Sequence, residues 1–251
     1  MFCVRLAEVL IAIENRYSFV ERLCADYVAD VSPGACDFMV SVTPEEIAAE
    51  NDGEEAEFSP AYCESLALYR KICTRMLDYD AFLFHAAVVS YEGRGFAFTA
   101  KSGTGKSTHI AQWMRALGDR VTVINGDKPI LRWKEGPDAA DGGQPGAFIA
   151  YGTPYNGKEA WGINASAPLC AVCFIERCEP GEADSLRRLE DDGQIVARIM
   201  NQILLPKDPA LASRQLDLLN RLVTCVPFYV LRCTPTPAAF DAAFKMTLCD
   251  Y

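Results

Sequence analysis

Nine residues, Ala100-Lys-Ser-Gly-Thr-Gly-Lys-Ser-Thr108, carry the groups and the backbone freedom needed to grip a phosphate. They follow the pattern G-x-x-x-x-G-K-[ST], with Ala100 in place of the first glycine. Gly103 and Gly105 leave the backbone free to fold around an anion. The loop amides and the positive end of the next helix dipole then point at it. Lys106 has the reach for the β and γ phosphates of a nucleotide, and the Ser107 hydroxyl can ligate Mg²⁺. Ser102, Thr104 and Thr108 complete the cradle. The plain alternative is a glycine turn that merely precedes a helix.

The flanks decide between the two. Gly95-Phe-Ala-Phe-Thr99 reads as a strand, and residues 109–117 have helical spacing with Gly118 placed to end the helix. Strand, glycine loop and helix is the context that phosphate binding requires.

Four further pieces surround the loop in the chain. His85 sits in a strand-like run just upstream, and reads either as a site residue or as a hydrogen-bonded core histidine. Asp127 ends a buried strand within Asn125-Gly-Asp-Lys-Pro129, and reads either as a carboxylate facing phosphate and metal or as a turn residue. Lys158-Glu159 closes Tyr151-Gly-Thr-Pro-Tyr-Asn-Gly-Lys-Glu159, where Glu159 is a metal-side carboxylate or a surface charge. Glu176-Arg177 closes a later strand. Tyr151, Tyr155 and Trp161 suit an adenine or substrate pocket and core packing equally. His109 reads as a packing or surface residue.

The elements that must hold these residues follow from pattern and punctuation. Strands are expected at 3–13, 37–42, 81–89, 95–99, 120–124, 147–151, 169–176 and 227–233. Thr43-Pro-Glu-Glu46 is a capping box, and Ser59-Pro60 starts a longer helix with an apolar face of Leu66, Tyr69, Ile72 or Cys73, and Met76. Glu92-Gly-Arg-Gly95 turns a hairpin that feeds the phosphate loop. Residues 135–146 form a loop and candidate lid. Helices are expected near 183–204 and 210–223, and a last one capped by Thr236-Pro237. A simple alternating β-α order is not indicated.

Composition bounds the class of protein. In 251 residues, half hydrophobic, the net charge is −10, which argues against nucleic acid or an anionic membrane as main partner. No apolar run approaches the roughly 20 residues of a membrane span. The first residues lack the pattern of a secretory leader, so the eleven cysteines read as reduced thiols in a cytoplasmic protein. Cys170 and Cys173 are spaced as a metal pair, but their apolar strand and the lack of a second pair favour core thiols.

Together, the hairpin carrying His85, the Ser102-Gly-Thr-Gly-Lys-Ser107 loop and the strand ending in Asp127 resemble the catalytic core of HPr kinase/phosphorylase. That core is shared with ATP-dependent phosphoenolpyruvate carboxykinase. The segments His85-Ala-Ala87, Asn125–Pro129 and Gly152–Glu159 are most similar to short bacterial proteins usually called HPr kinase-like. The resemblance covers roughly residues 80–180. It implies a mixed α/β (α+β) fold with a mixed sheet and flanking helices. It further implies ATP and Mg²⁺ at Gly103, Gly105, Lys106 and Ser107, Asp127 as base or metal ligand, and His85 beside that acid. Glu159 would stand in for a further metal-side carboxylate. Where that family has an acidic pair, this chain has Gly126 before Asp127, which weighs against phosphorolysis in the reverse direction. The chain is about half the carboxykinase length, and it lacks that enzyme's arginine cluster.

The expectation is one domain, with a nucleotide-binding core at about 80–180, an N-terminal α/β portion 1–79 and a helical portion 181–251 packed on it. The expected activity is an ATP-dependent kinase for a hydroxyl of a protein, peptide or metabolite. The alternatives are an ATP-binding regulator with little turnover, or a simple nucleotide hydrolase. Self-association is left open.

Overall fold

In a computed structural model, residues 1–52, 57–101, 103–136, 146–179 and 181–248 are described. Two sheets organise the chain. The smaller holds β1 (Phe2–Leu6), β2 (Val9–Glu14) and β3 (Phe38–Ser41) in that order. The expected single strand at 3–13 is therefore a hairpin. Ala7 and Glu8 both take positive φ and reverse the chain, with Leu6 paired to Val9. A two-residue turn of this hand usually selects Gly or Asn, so no residue type announced it.

The capping box at Thr43 forms as expected and starts α2 (Pro44–Ala49), after α1 (Ser18–Leu23). Ser59 caps α3 (Pro60–Met76). Tyr69, Ile72, Cys73 and Met76 are buried against the small sheet, while Leu66 is only half-buried and Leu68 takes the fully buried position.

The larger sheet runs β4 (Ala81–Leu83), β8 (Ile130–Lys134), β9 (Ala147–Tyr151), β10 (Ser166–Arg177), β6 (Arg94–Thr99), β5 (Ala87–Tyr91), β7 (Val121–Asn125). β10 serves two arms. Its first residues pair with β9, and Val172–Arg177 pair in parallel with β12 (Phe228–Cys233), which in turn pairs with β11 (Ser185–Leu189). The result is a mixed sheet, flanked by helices.

Three expectations change here. The run 81–89 breaks at residues 84–86 into β4 and β5, because the two halves pair with different neighbours, β8 and β6. The span 183–204 opens with β11, and only Asp192–Ile199 is helical, as α5. No side-chain cap forms at Thr236, whose hydroxyl pairs with that of Thr234 before α7 (Ala238–Phe244). The strand β8 was not expected from the sequence. Of the candidate lid, residues 137–145 lie outside the described residues. No helix among the described residues is long and apolar enough to cross a membrane.

Strand direction is what builds the site. β10 and β12 run parallel to β6, and β7 also runs with β6 because both are antiparallel to β5. The carboxyl ends of β7, β6, β10 and β12 thus share one edge, where open α/β sheets gather their loops. The amino end of β5, with His85 just before it, falls on the same edge. One face is covered by α4 (Lys106–Leu117) and α7, through a cluster in which fully buried Trp113 meets Phe96, Phe98, Phe240 and Phe244. The other face carries α5 and α6 (Pro209–Cys225). Rigid packing on both faces fixes where the loop after β6 stands.

Candidate functional site

The loop between β6 and α4 turns through two backbone conformations that favour glycine. Gly103 has φ of 75° and Gly105, at the helix N-cap, has φ of 120°. No side chain caps α4, so its first amides face outward without an intrahelical acceptor. Gly103, Gly105, Lys106, Ser107 and Thr108 line one cleft of about 750 Å³. Thr104 lines a neighbouring pocket that shares Ala100, Lys101 and Gly103 with this cleft, and Ser102 lies outside the described residues.

At one end of this cleft stands Asp127. Its Oδ1 accepts from Lys106 Nζ at 3.0 Å and lies 3.1 Å from His85 Nε2. The structure thus brings together the three residues selected as catalytic. Burial alone would raise the Asp127 pKa, but the His85 hydrogen bond and the Lys106 charge outweigh it. They hold the carboxyl well below the usual range. Asp127 is therefore ionised at neutral pH.

The placement of Asp127 is set by a buried polar frame that composition did not reveal. Asn125 is fully buried, and its Oδ1 accepts from the amides of Asp127 and Lys128 at 2.8 and 2.7 Å. Its Nδ2 donates to the carbonyl and hydroxyl oxygens of Thr153. Tyr69 and Thr153 both donate to the Lys128 carbonyl, at 2.7 and 2.8 Å. The available signal was Asn-Gly-Asp, since an Asn side chain readily binds the amides two and three residues on.

Gly126 is required by space. A Cβ there would stand 2.5 Å from the Asn156 carbonyl oxygen. A second carboxylate at this position would collide with the segment 152–162, so the single acid is built into the packing.

His85 stands between β4 and β5, not within a strand. Its amide donates to the Gln202 carbonyl at 2.7 Å, and its carbonyl accepts from the Thr99 hydroxyl at 2.8 Å. Glu159 lines the same cleft, and its side chain and that of Asp127 flank Gly157. Lys158 is largely exposed, 3.9 Å from Glu159. Lys101 and Lys128 also line the cleft, so cations gather here in an acidic protein. Phe19, Leu23 and Tyr62, from α1 and α3, form an apolar wall.

The other candidates separate. Tyr155 also lines the cleft, but its ring stacks on Tyr69 at 3.8 Å and its hydroxyl donates to Ser65. Tyr151 donates to Glu8, and Trp161 packs on the cluster around Trp113. Arg177 reaches the loop from β10 and donates to the carbonyls of Gly103 and Thr104. Among the described residues, no three His, Cys, Asp or Glu side chains are grouped to hold a metal, and all ten described cysteines are free. Cys170 and Cys173 are thus strand thiols.

No family model and no curated protein matches the sequence. Among solved structures, the Hpr(Ser) kinase/phosphatase from Coxiella burnetii is similar over 66% of this chain and 96% of its own, at 11% identity and a TM-score of 0.35. A likeness that distant leaves the functional reading to the geometry of the site itself.

Proposed function

We propose that this protein is an ATP-dependent phosphotransferase of the HPr kinase-like kind, moving the γ-phosphoryl group to a hydroxyl of a protein, peptide or small molecule. The observation that carries the reading is the meeting of Lys106, Asp127 and His85 at the open end of α4.

Phosphoryl transfer needs positioning and charge neutralisation above all. The free amides of the loop and α4 would hold the phosphates, and Lys106 would turn from Asp127 toward them. That turn removes one of the two contacts that hold the Asp127 pKa down, while the His85 hydrogen bond remains. The acceptor hydroxyl would give its proton to Asp127 as its oxygen bonds phosphorus and the bond to the ADP oxygen breaks. His85 would orient the carboxylate.

The donors suit Mg²⁺, being hard oxygens: the Ser107 hydroxyl and the Asp127 carboxylate, with Glu159 on the same cleft. Bound there, the ion would neutralise charge on the phosphates. In a reducing cytoplasm the cysteines would stay thiols.

A second reading, a nucleotide-binding regulator with little turnover, is favoured by the single acid that the crowding at Gly126 enforces. Asp127→Asn separates the two. Under the kinase reading it lowers phosphate transfer from labelled ATP about 10²–10⁴-fold, with far less change in Mg-ATP affinity. Unchanged transfer would remove Asp127 from the chemistry. Tight binding with no transfer to any acceptor in extracts of the source cell would favour the regulator.

A further inference from the structure

On the side of the loop away from Asp127 lies a second pocket, of about 270 Å³. Gly103–Gly105 and Thr108 form its rim, Ile175, Cys178, Cys233 and Pro235 supply apolar surface from the ends of β10 and β12, and Arg177 and Thr234 line it beside them. Its floor is unusual. His109 and Gln112, one turn apart on α4, are 3% and 8% exposed. Neither is fully satisfied. His109 Nδ1 and Gln112 Oε1 are both buried without a hydrogen-bond partner.

The tautomer of His109 follows from its neighbours. Nε2 accepts from Trp113 Nε1 at 3.0 Å, so in the neutral ring the proton sits on Nδ1. Burial keeps the ring neutral, lowering its pKa to about 4. Gln112 acts on the ring as a hydrogen-bond partner and favours its charged form, but the contact lies outside ordinary hydrogen-bond geometry. The pocket therefore presents a donor and an acceptor that satisfy each other poorly, side by side, in a lining that also holds Arg177 and Thr234. Buried polar groups are rarely left so without a reason.

We propose that this pocket is a nucleobase site, in which His109 Nδ1–H and Gln112 Oε1 pair with the adjacent ring nitrogen and exocyclic amine of adenine. A flat heteroaromatic ring suits an apolar slot of this size. The slot opens onto the same loop whose amides face the phosphate cleft. The proposal rests on the phosphotransferase reading for the position of the phosphates. It adds the residues that would read the base, and neither follows from the loop pattern.

The test compares Mg-ATP with Mg-tripolyphosphate, which has the phosphates and no base, by calorimetry on the full chain. Wild type should bind ATP at least tenfold more tightly than tripolyphosphate. Gln112→Leu, similar in volume, should weaken ATP about tenfold and leave tripolyphosphate within about twofold, with folding checked by thermal melting. His109→Phe should do the same and serves if the first variant does not fold. If tripolyphosphate binds wild type as tightly as ATP, the base site is wrong while the phosphate site stands. Equal ATP affinity in wild type and a folded variant would also overturn it. If neither ligand binds wild type, the phosphotransferase reading fails and this proposal with it.

Discussion

The two sides of α4's amino end differ in how their polar groups are matched. On the Asp127 side, the carboxylate holds two partners, and Asn125, Thr153 and Tyr69 secure the backbone around it. On the His109 side, a ring nitrogen and an amide oxygen are buried with none. The first corner is fully paired within the protein, so under the proposed reading a ligand there would displace an existing contact, that of Lys106. Under the same reading the second corner would gain contacts when a base enters. A nucleotide spanning both would lose an ion pair at one end and satisfy orphan groups at the other.

The largest effect expected in breaking this contrast is at Asn125. Asn125→Ala leaves the amides of Asp127 and Lys128 without their buried acceptor, and should cost about 3 kcal/mol in urea unfolding. A loss below about 1 kcal/mol would mean that water replaces the side chain and that the frame is not dry.

Lys106→Ala comes next. A charged group on phosphate contributes roughly 1.5–3 kcal/mol, so Mg-ATP affinity should fall about 10- to 100-fold. Affinity equal to wild type would dismantle the phosphate site.

Acid should strike the two corners in different windows. His109 has a lowered folded-state pKa, so the unfolded chain binds more protons once the pH drops below about 6.5. Stability is lost as pH falls from there toward about 4. Between pH 7 and pH 5 the loss from this ring is about 2 kcal/mol. Asp127, held low, contributes stability that is present above its ordinary pKa of about 3.9 and lost only at more acid pH. His109→Phe should therefore remove about that much of the pH dependence between pH 7 and 5 in unfolding experiments. An unchanged slope would mean that the His109 ring is not held neutral by burial.

The smallest effect is expected at Glu159, whose ion pair with Lys158 is long and exposed on the Lys158 side. Glu159→Gln should lower Mg²⁺-dependent turnover less than about tenfold, read from a magnesium titration. A larger drop would move Glu159 into direct metal contact and widen the Asp127 corner to a second acid.

Much of this site was legible before the fold. The glycines of residues 103 and 105, the capping box at Thr43, the proline-started helix at Ser59 and the strand before the loop all rest on local rules. Each needs only a few neighbouring residues. A positive φ selects glycine, a cap selects Thr or Ser, and a buried strand selects a short apolar run. The same locality explains the misses. The hairpin at Ala7-Glu8 uses residue types that do not signal a turn, and β11 hides in Ser185–Leu189, whose pattern is as compatible with the helix that follows.

The sequence by itself thus determined the glycine-rich loop, its strand and helix, and the residue types on offer near it. Only the tertiary structure decided which of them meet. Asp127, His85 and Lys106 converge because β7, β6 and the start of β5 end on one edge, which depends on strand pairing between distant residues. The loss of a second acid at Gly126 was visible as a letter, but its cause is the Asn156 carbonyl thirty residues on. The unpaired atoms of His109 and Gln112 are likewise a property of burial. A side chain's type states which hydrogen bonds it can make, and only the packed fold states which of them it is denied.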